Sequence, residues 1–421
     1  MSLLEHSNKQ VPQAKDSASW LPALFALIAL IAGMFYIFFF TPQSIEFNGS
    51  TMGTSYSIHA YKPGYYQRWR NGNLSVNLQQ LTEADLQHII DTMSTYEPQS
   101  ELMKLNRNLQ TQNLEALKGV ENLKSLDNLE CYPVSTELMT IFQQAQQVNT
   151  DSSGMYDISV GPLVELWGFG ARNSASKPPA NQAIQAVMSN VGFKALSLNV
   201  ADQCVTASKK LQLDLSSIAK GYAVDKVKQT FINNGLSHFL IEIGGEVWVN
   251  GHKPALRPWL SPKPWVLGIE QPLTESKRMQ PLELSDVGLA TSGDYRNFFE
   301  YEGRRYSHII NVKTGSPVER DVISATVLHK SLALADAYAT ALVALPIQQA
   351  KQLSESLNLA TVLYYEDYYK TPEKVENKAQ SKVENQLQSS DIVIDEAFII
   401  QDDAKFKTQV WQSTAYHDNF K

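Results

Sequence analysis

The apolar positions of this chain fall into runs of different period, and each period predicts a different kind of element. One run is apolar on every side: from Trp20 to Thr41 the chain reads WLPALFALIALIAGMFYIFFFT, with no charged residue. A helix rising 1.5 Å per residue needs roughly 20 apolar residues to cross a bilayer, and Leu21–Phe40 supplies them. A cleaved signal peptide would carry a shorter apolar core of about 7–15 residues, with small residues at the cut. Here Phe38-Phe39-Phe40 and Pro42 follow instead, with no cysteine directly after them to take a lipid. The expectation is an uncleaved transmembrane anchor over residues 20–41 behind a tail of residues 1–19. A buried core helix is the alternative, although core helices are seldom apolar all round over this length. The anchor's orientation is weakly encoded, since Lys9 and Lys15 are offset by Glu5 and Asp16.

Beyond the anchor the period becomes that of amphipathic helices and short strands. Leu86, Ile89, Ile90 and Met93 follow Thr82 at helical spacing, and Leu138, Ile141, Phe142 and Ala145 follow a capping Ser135 or Thr136. A third helix is expected from about Ser216 to Gly235, and a fourth from about Ala335 to the residue before Pro346. Strand-like runs stand at His238–Ile243, Val247–Asn250, Pro264–Ile269, Tyr306–Ile310, Val322–Leu328 and Ala360–Tyr365. Strands gather in the C-terminal half without alternating strictly with helices, which predicts an α+β domain over residues 45–421. Within it, residues 370–390 turn polar and repetitive, with Lys374-Val375-Glu376-Asn377 recurring as Lys382-Val383-Glu384-Asn385. Such a segment buries too little apolar surface to repay ordering and reads as a flexible insertion. Apolar character returns at Ile392–Ile400 and Val410-Trp411.

Composition narrows the partners. The chain has 421 residues, 43% hydrophobic and 19% charged, with a formal net charge of −7, so it can bury a large core. No dense Lys/Arg block occurs, which speaks against a nucleic-acid partner. Cys131 and Cys204 are the only cysteines; their pairing stays open.

Chemistry concentrates in a few glycine-rich or polar strings. Asp214-Leu215-Ser216-Ser217, with Lys220 beyond, can present oxygens and free N–H groups together at a helix start, or simply cap the helix. Asp336 and Thr340 are four apart on one helix face and suit a hard cation such as Mg²⁺; the same spacing suits an Asp favoured by the helix dipole. His308 is a natural proton acceptor or a structural histidine. Gly244-Gly245 fits a turn as well as a ligand site. Trp167, Phe169 and Tyr96 could sandwich a planar ring or belong to the core.

Taken together, eight strings resemble one family: TMGTSYS, STYEPQSEL, MYDISVGPLVELWGFG, LDLSSIAKGYAVDKV, IEIGGEV, LATSGDYRNFF, YSHIINVKTGSPV and ADAYATAL, spread from about Gly49 to Leu345. The chain resembles the FAD:protein FMN transferases, the ApbE or thiamine-biosynthesis-lipoprotein family. The resemblance implies a T-fold-related α+β architecture of mixed, largely antiparallel sheets packed with helices. It implies that FAD is split, AMP released, and FMN joined by a phosphoester to a Thr or Ser of an acceptor protein. It also implies FAD contacts at Met52, Tyr96, Met155, Tyr156, Asp157, Asp214, Lys220 and Ile310. Mg²⁺ ligands would be Ser217 (through its backbone carbonyl), Asp336 and Thr340, with His308 the catalytic base. The implied acceptor is a flavin-carrying subunit of a membrane redox complex, of the Na⁺-translocating quinone reductase type or a relative. The implied location is the bacterial inner membrane, with the catalytic domain facing the periplasm. Two departures stand out: an anchor replaces the usual lipid-bearing cysteine, and Asn311 stands where the family usually has Asp, removing a charge expected near the metal. Two other functions fit the same residues: an FAD pyrophosphatase giving FMN and AMP, in which water replaces the acceptor, and a non-catalytic, membrane-tethered FAD-binding protein.

Overall fold

The computed structural model describes residues 20–62, 77–111, 130–170, 176–255, 260–272, 279–295, 297–318, 321–367 and 407–420. The tail of residues 1–19, Arg296, the repeat at 370–390 and the apolar return at Ile392–Ile400 lie outside the described residues. Eight strands make the central sheet: β1 (Gln43–Thr51), β2 (Thr54–Lys62), β3 (Phe239–Ile243), β4 (Glu246–Asn250), β5 (Val287–Gly293), β6 (Val322–His329), β7 (Ala360–Asp367) and β8 (Lys407–Gln412). They lie side by side in chain order and every neighbouring pair is antiparallel. The sheet is therefore one meander, and the other described elements are inserted between its strands or flank it. The architecture is α+β, as the distribution of runs predicted.

Helix α1 (Leu21–Phe40) precedes the sheet. Between β2 and β3 come α2 (Leu78–Met93), α3 (Glu101–Thr111), α4 (Thr136–Asp151), α5 (Gly161–Leu166), α6 (Asn181–Met188) and α7 (Ala219–Asn233). Helices α8 (Leu332–Ala344) and α9 (Ile347–Ser356) join β6 to β7, and α10 (Thr414–Phe420) follows β8. Helix α1 has a mean hydropathy of 2.6 and none of its apolar window is buried against the rest of the protein.

Caps decide where the predicted helices begin. Ser135 caps α4 by accepting the Leu138 N–H, as its position suggested. Helix α2 starts before Thr82: Asn77 accepts the Gln80 N–H, and Thr82 is buried, donating to the Leu78 carbonyl. Helix α7 starts later than Ser216, at Ala219, with no side-chain cap. Helix α8 begins at Leu332 because Ser331 caps it, three residues ahead of the apolar signal. The run Tyr306–Ile310 breaks at His308 into two short hairpins, Phe298–Tyr301 with Arg304–Ser307, and Ile310–Asn311 with Ser316–Pro317.

One face of the sheet packs Ile58, Ile241, Ala290 and Val327 under α7 and α8; the other packs Leu289, Leu328 and Val362 against Trp265 and Tyr416. Covered on both sides, β6 is buried from Val322 to Leu328, which explains its unbroken apolar reading. Helices α7 and α8 approach so closely that a Cβ on Gly221 would lie 2.2 Å from the Leu332 carbonyl oxygen, so only glycine fits. The Asp225 carboxylate seals this crossing by accepting from the Leu332 (2.7 Å) and Ala333 (3.1 Å) N–H groups at the positive end of α8. Cys131 and Cys204 form a disulfide, with Cα atoms 5.5 Å apart. It ties the strand Tyr132–Pro133 to its partner Cys204–Ala207.

Strand register gives the sheet two ends. Gln43 pairs with Lys62 at one end, and Thr51 with Thr54 at the other. Ile243, Glu246, Gly293 and Ser324 all fall at the second end, whereas Phe239, Asn250, Val287 and His329 fall at the first.

Candidate active site

A cavity of about 350 Å³ opens at the second end of the sheet. The β3–β4 turn supplies Gly244 and Glu246, the end of β5 supplies Thr291, Ser292 and Gly293, and α8 supplies Asp336 and Thr340 from one helical face. The α7 entry brings Asp214, Ser217 and Lys220; the segment after α4 brings Met155, Tyr156 and Asp157; His308 and Ile310 come from the broken strand. Tyr96 stands at the rim, 68% exposed. Residues far apart in sequence thus converge as predicted, with one exception. Met52 does not line the cavity: Met52 and Gly53 form the two-residue turn between β1 and β2, with φ of 49° and 73°. Positive φ at both positions is the geometry of a type I′ hairpin, so the TMGT string reads as turn chemistry, and Met52 packs on the core.

The charged groups are organised around Lys220. Its ammonium is paired with the Glu246 carboxylate and lies 3.9 Å from Asp336 Oδ1. Asp336 is 2% exposed and accepts the Gly221 N–H at 3.1 Å. Burial raises its pKa, opposed by Lys220 and that N–H. Glu246 is buried too; burial pushes its carboxyl up to about 8 against the pull of Lys220, with Asp336 adding to the rise. Its Oε2 has no hydrogen-bond partner among the described residues. Among the described residues, Asp157, Asp214, Glu246 and Asp336 line the cavity with one lysine. An anionic diphosphate would enter such an acid-rich cleft only with a cation between the charges.

The oxygens present fit a hard cation. Among the described residues no three His, Cys, Asp or Glu cluster as a protein-only cage. Mg²⁺, though, typically takes one or two carboxylates and completes its shell with waters and phosphate oxygens. Asp336 offers a buried carboxylate and Thr340 a hydroxyl, held 3.0 Å from Ser292 Oγ. Ser217 donates its hydroxyl proton to Tyr156 Oη at 3.1 Å, which fixes its side chain, and its hydroxyl oxygen and backbone carbonyl both remain available as ligands. Burial holds the Tyr156 phenol far above its ordinary pKa, so it stays neutral there.

His308 is oriented by one carbonyl. Asn297 O accepts from the His308 backbone N–H at 3.1 Å and lies 3.0 Å from Nδ1. A carbonyl can only accept, so Nδ1 carries the proton and Nε2 keeps its lone pair. Burial lowers the imidazole pKa, and the nearby Lys220 charge lowers it further against the Asn297 bond. A neutral imidazole with a free Nε2 is a ready base.

Other predicted groups carry structural duties beside their place in the lining. Asp157 accepts from Ser159 N–H (2.8 Å), Ser159 Oγ (2.6 Å) and Phe193 N–H (2.9 Å). Asp214 accepts the Ser216 N–H at 2.8 Å in an Asx turn and caps no helix. Trp167 is core: it is 3% exposed and donates Nε1–H to Gly315 O at 2.8 Å, whereas Phe169 lines the cavity. Asn311 lies between the lining residues Ile310 and Val312, and its Oδ1 accepts the Lys313 N–H at 2.9 Å to close a turn. An Asp oxygen could do the same, so the structure assigns this position to the turn rather than to the cavity wall. Glu246, Ser292 and Asn297 fall within the strings IEIGGEV and LATSGDYRNFF, but the sequence reading gives them no role. Glu246 did leave a signal, as an acid opening an otherwise apolar strand.

The fold is that of solved flavin transferases, and the chain belongs to the ApbE family, whose pattern matches residues 52–363. It is 33% identical over 351 residues to the FAD:protein FMN transferase of Vibrio cholerae, covering 82% of this chain and 93% of that one. The FAD:protein FMN transferase of Escherichia coli K12 is 30% identical over 319 residues, covering 75% and 82%. Among solved structures, the flavin transferase ApbE from Vibrio cholerae superposes with a TM-score of 0.67 at 26% identity, covering 90% of this chain and 99% of that one. The apo flavinyl transferase ApbE from Pseudomonas stutzeri gives the same TM-score and identity, covering 90% and 97%.

Proposed function

We propose that this protein transfers FMN from FAD to a Thr or Ser hydroxyl of an acceptor flavoprotein, forming a phosphoester and releasing AMP. The observation that carries the reading is the convergence of a Nδ1-protonated His308 with Lys220, Asp336 and Thr340 in one cavity. The acceptor oxygen attacks the FMN phosphorus, the bond to the AMP oxygen breaks, and the hydroxyl proton passes to His308 Nε2. The rim and wall residues Tyr96, Met155, Tyr156 and Ile310 would cradle the dinucleotide, and Asp157 and Asp214 would fix the loops that hold it. Lys220, kept in place by Glu246, would put a compact positive charge beside the diphosphate. Asp336, Thr340 and the Ser217 carbonyl would hold Mg²⁺, which neutralises phosphate charge and improves the leaving group.

Helix α1 supports a membrane anchor, and the Cys131–Cys204 disulfide supports an oxidising compartment, consistent with a catalytic domain in the periplasm of a bacterium. Acceptors would be flavin-carrying subunits of membrane redox complexes, including the Na⁺-translocating quinone reductase type. The test mixes detergent-solubilised full-length protein with FAD, Mg²⁺ and a purified acceptor domain of this class, and weighs the acceptor. A mass gain equal to FMN with one AMP released per adduct is expected. AMP and free FMN without an adduct would mark a pyrophosphatase; FAD binding without AMP would mark a flavin-binding protein.

A further inference from the structure

The anchor and the cavity sit at opposite ends of one rigid sheet. Helix α1 ends at Phe40, and the Thr41 N–H still donates to the Ile37 carbonyl at 3.2 Å, so Thr41 belongs to the helix cap. Only Pro42, with its fixed φ, separates that cap from β1. Gln43 is already paired with Lys62, so the sheet begins without slack, and β1 stays paired through all nine residues to Thr51. Near its far end, the Ser55 carbonyl accepts the Gly244 N–H at 3.0 Å, and Gly244 lines the cavity. At about 3.3–3.4 Å per residue, nine strand residues and two joining residues give a reach of at most about 37 Å.

We propose that the sheet acts as a spacer that selects acceptors by height. Resting on the transferase and anchor readings above, the inference is that acceptors attached to the same membrane are modified only when their target hydroxyl is presented within about 37 Å of the bilayer. A lipid-tethered domain on a loose linker could search a deep shell above the membrane; this chain trades that search for a fixed level. Its partner is therefore a membrane-attached protein with a low-lying flavin acceptor site, and a target hydroxyl on a tall rigid stalk is out of reach.

The test uses the full chain reconstituted in lipid vesicles with a membrane-tethered acceptor domain in two forms, one low and one raised by a 40-residue rigid helical spacer, about 60 Å. The wild-type chain should label the low acceptor at least tenfold faster than the raised one. A 40-residue Gly/Ser segment inserted between Pro42 and Gln43 adds roughly 35 Å of root-mean-square reach and should bring the two rates together. The same acceptor domain free in solution should be labelled equally by both enzymes. Equal rates on low and raised acceptors with the wild-type chain, or a ratio unmoved by the insertion, overturns the spacer. Failure to label the free domain removes the transferase reading itself, and the selection of acceptors with it. A probe that needs no activity is a fluorophore on Ser50→Cys, an exposed position near the far end of β1. Energy transfer to dyes in the bilayer should place it within about 40 Å, and a height of 60 Å or more refutes the geometry.

Discussion

Two clusters in this protein are built from the same groups and behave in opposite ways. In the cavity, Glu246 and Asp336 share Lys220. On the outer side of α2, α4 and α7, Glu137 is shared by Lys226 and His88 and also accepts from the Tyr222 hydroxyl at 3.3 Å. Burial pushes both glutamates upward, but the outcomes differ: Glu246 reaches about 8, whereas Lys226 and His88 outweigh burial and lower Glu137. Counting charges explains the difference. The outer acid has Lys226, a histidine and a tyrosine hydroxyl as partners and half-open access to water; the inner pair divides one ammonium between two carboxyl groups in a dry place. The outer cluster is closer to balance, although burial raises Asp85 beside it against the pull of Lys226 and His88. The inner one holds two buried carboxyl groups whose ionisation one ammonium does not fully support, so a further cation entering with a diphosphate would favour their charged forms.

The sharpest way to break this contrast is at His308, whose neutrality depends partly on the Lys220 charge. His308→Ala should cut the rate of FMN transfer by about 10²–10⁴-fold while FAD still binds. In the wild-type protein the base must be unprotonated, so activity should fall as pH drops through a value below the ordinary 6.5. A pH–rate profile whose acid limb persists in the alanine variant would exclude His308 as its source.

A smaller effect is expected at Glu246. Glu246→Gln removes the carboxyl group that holds Lys220 in place, and should raise the Mg²⁺ needed for half-maximal rate by about 10–100-fold, as supporting groups of metal sites commonly do. Stability should move the other way. Folded Glu246 keeps its proton until about pH 8, while the unfolded chain releases it near 4.5, so wild-type stability declines as pH rises between these values. The Gln variant carries no such proton. Thermal melts at pH 5 and pH 8 should show the variant gaining on the wild type at the higher pH; parallel shifts at both would mean Glu246 is ionised throughout.

Much of this arrangement was legible in the chain, and the boundary of legibility is physical. Asp336 and Thr340 could be placed on one face because helical spacing is local, and Ser135 could be read as a cap for the same reason. Thr82, Ser216 and Ala335 looked like helix starts, but α2 is capped by Asn77, α7 begins at Ala219 with no side-chain cap, and α8 is capped by Ser331; Met52 stands in a hairpin turn whose conformation is set by pairing across β1 and β2. Glu246 and Asn297 act through groups more than ten residues away, Lys220 and His308, so their roles are not legible locally, although Glu246 stands out as an acid opening an apolar strand. The same holds for the disulfide, whose cysteines are 73 residues apart and meet only once two short strands pair.

The weakest prediction is also the control on the rest. Glu137→Gln in the outer cluster should leave FMN transfer and its Mg²⁺ dependence unchanged, because none of Glu137, Lys226 and His88 lines the cavity. Its cost should appear in stability alone. A lowered carboxylate pKa contributes stability above the unfolded value near 4.5, and that contribution disappears as pH falls through the lowered folded value. The site is open enough to water for screening to matter, so the loss at pH 7 should be only about 0.5–1 kcal/mol, shrinking in high salt. Denaturant melts of wild type and variant should therefore separate at pH 7 and merge at acid pH. A variant that instead lost transferase activity while keeping its stability would show that the two clusters are coupled through α7, and that the cavity's charge cannot be considered apart from the outer one.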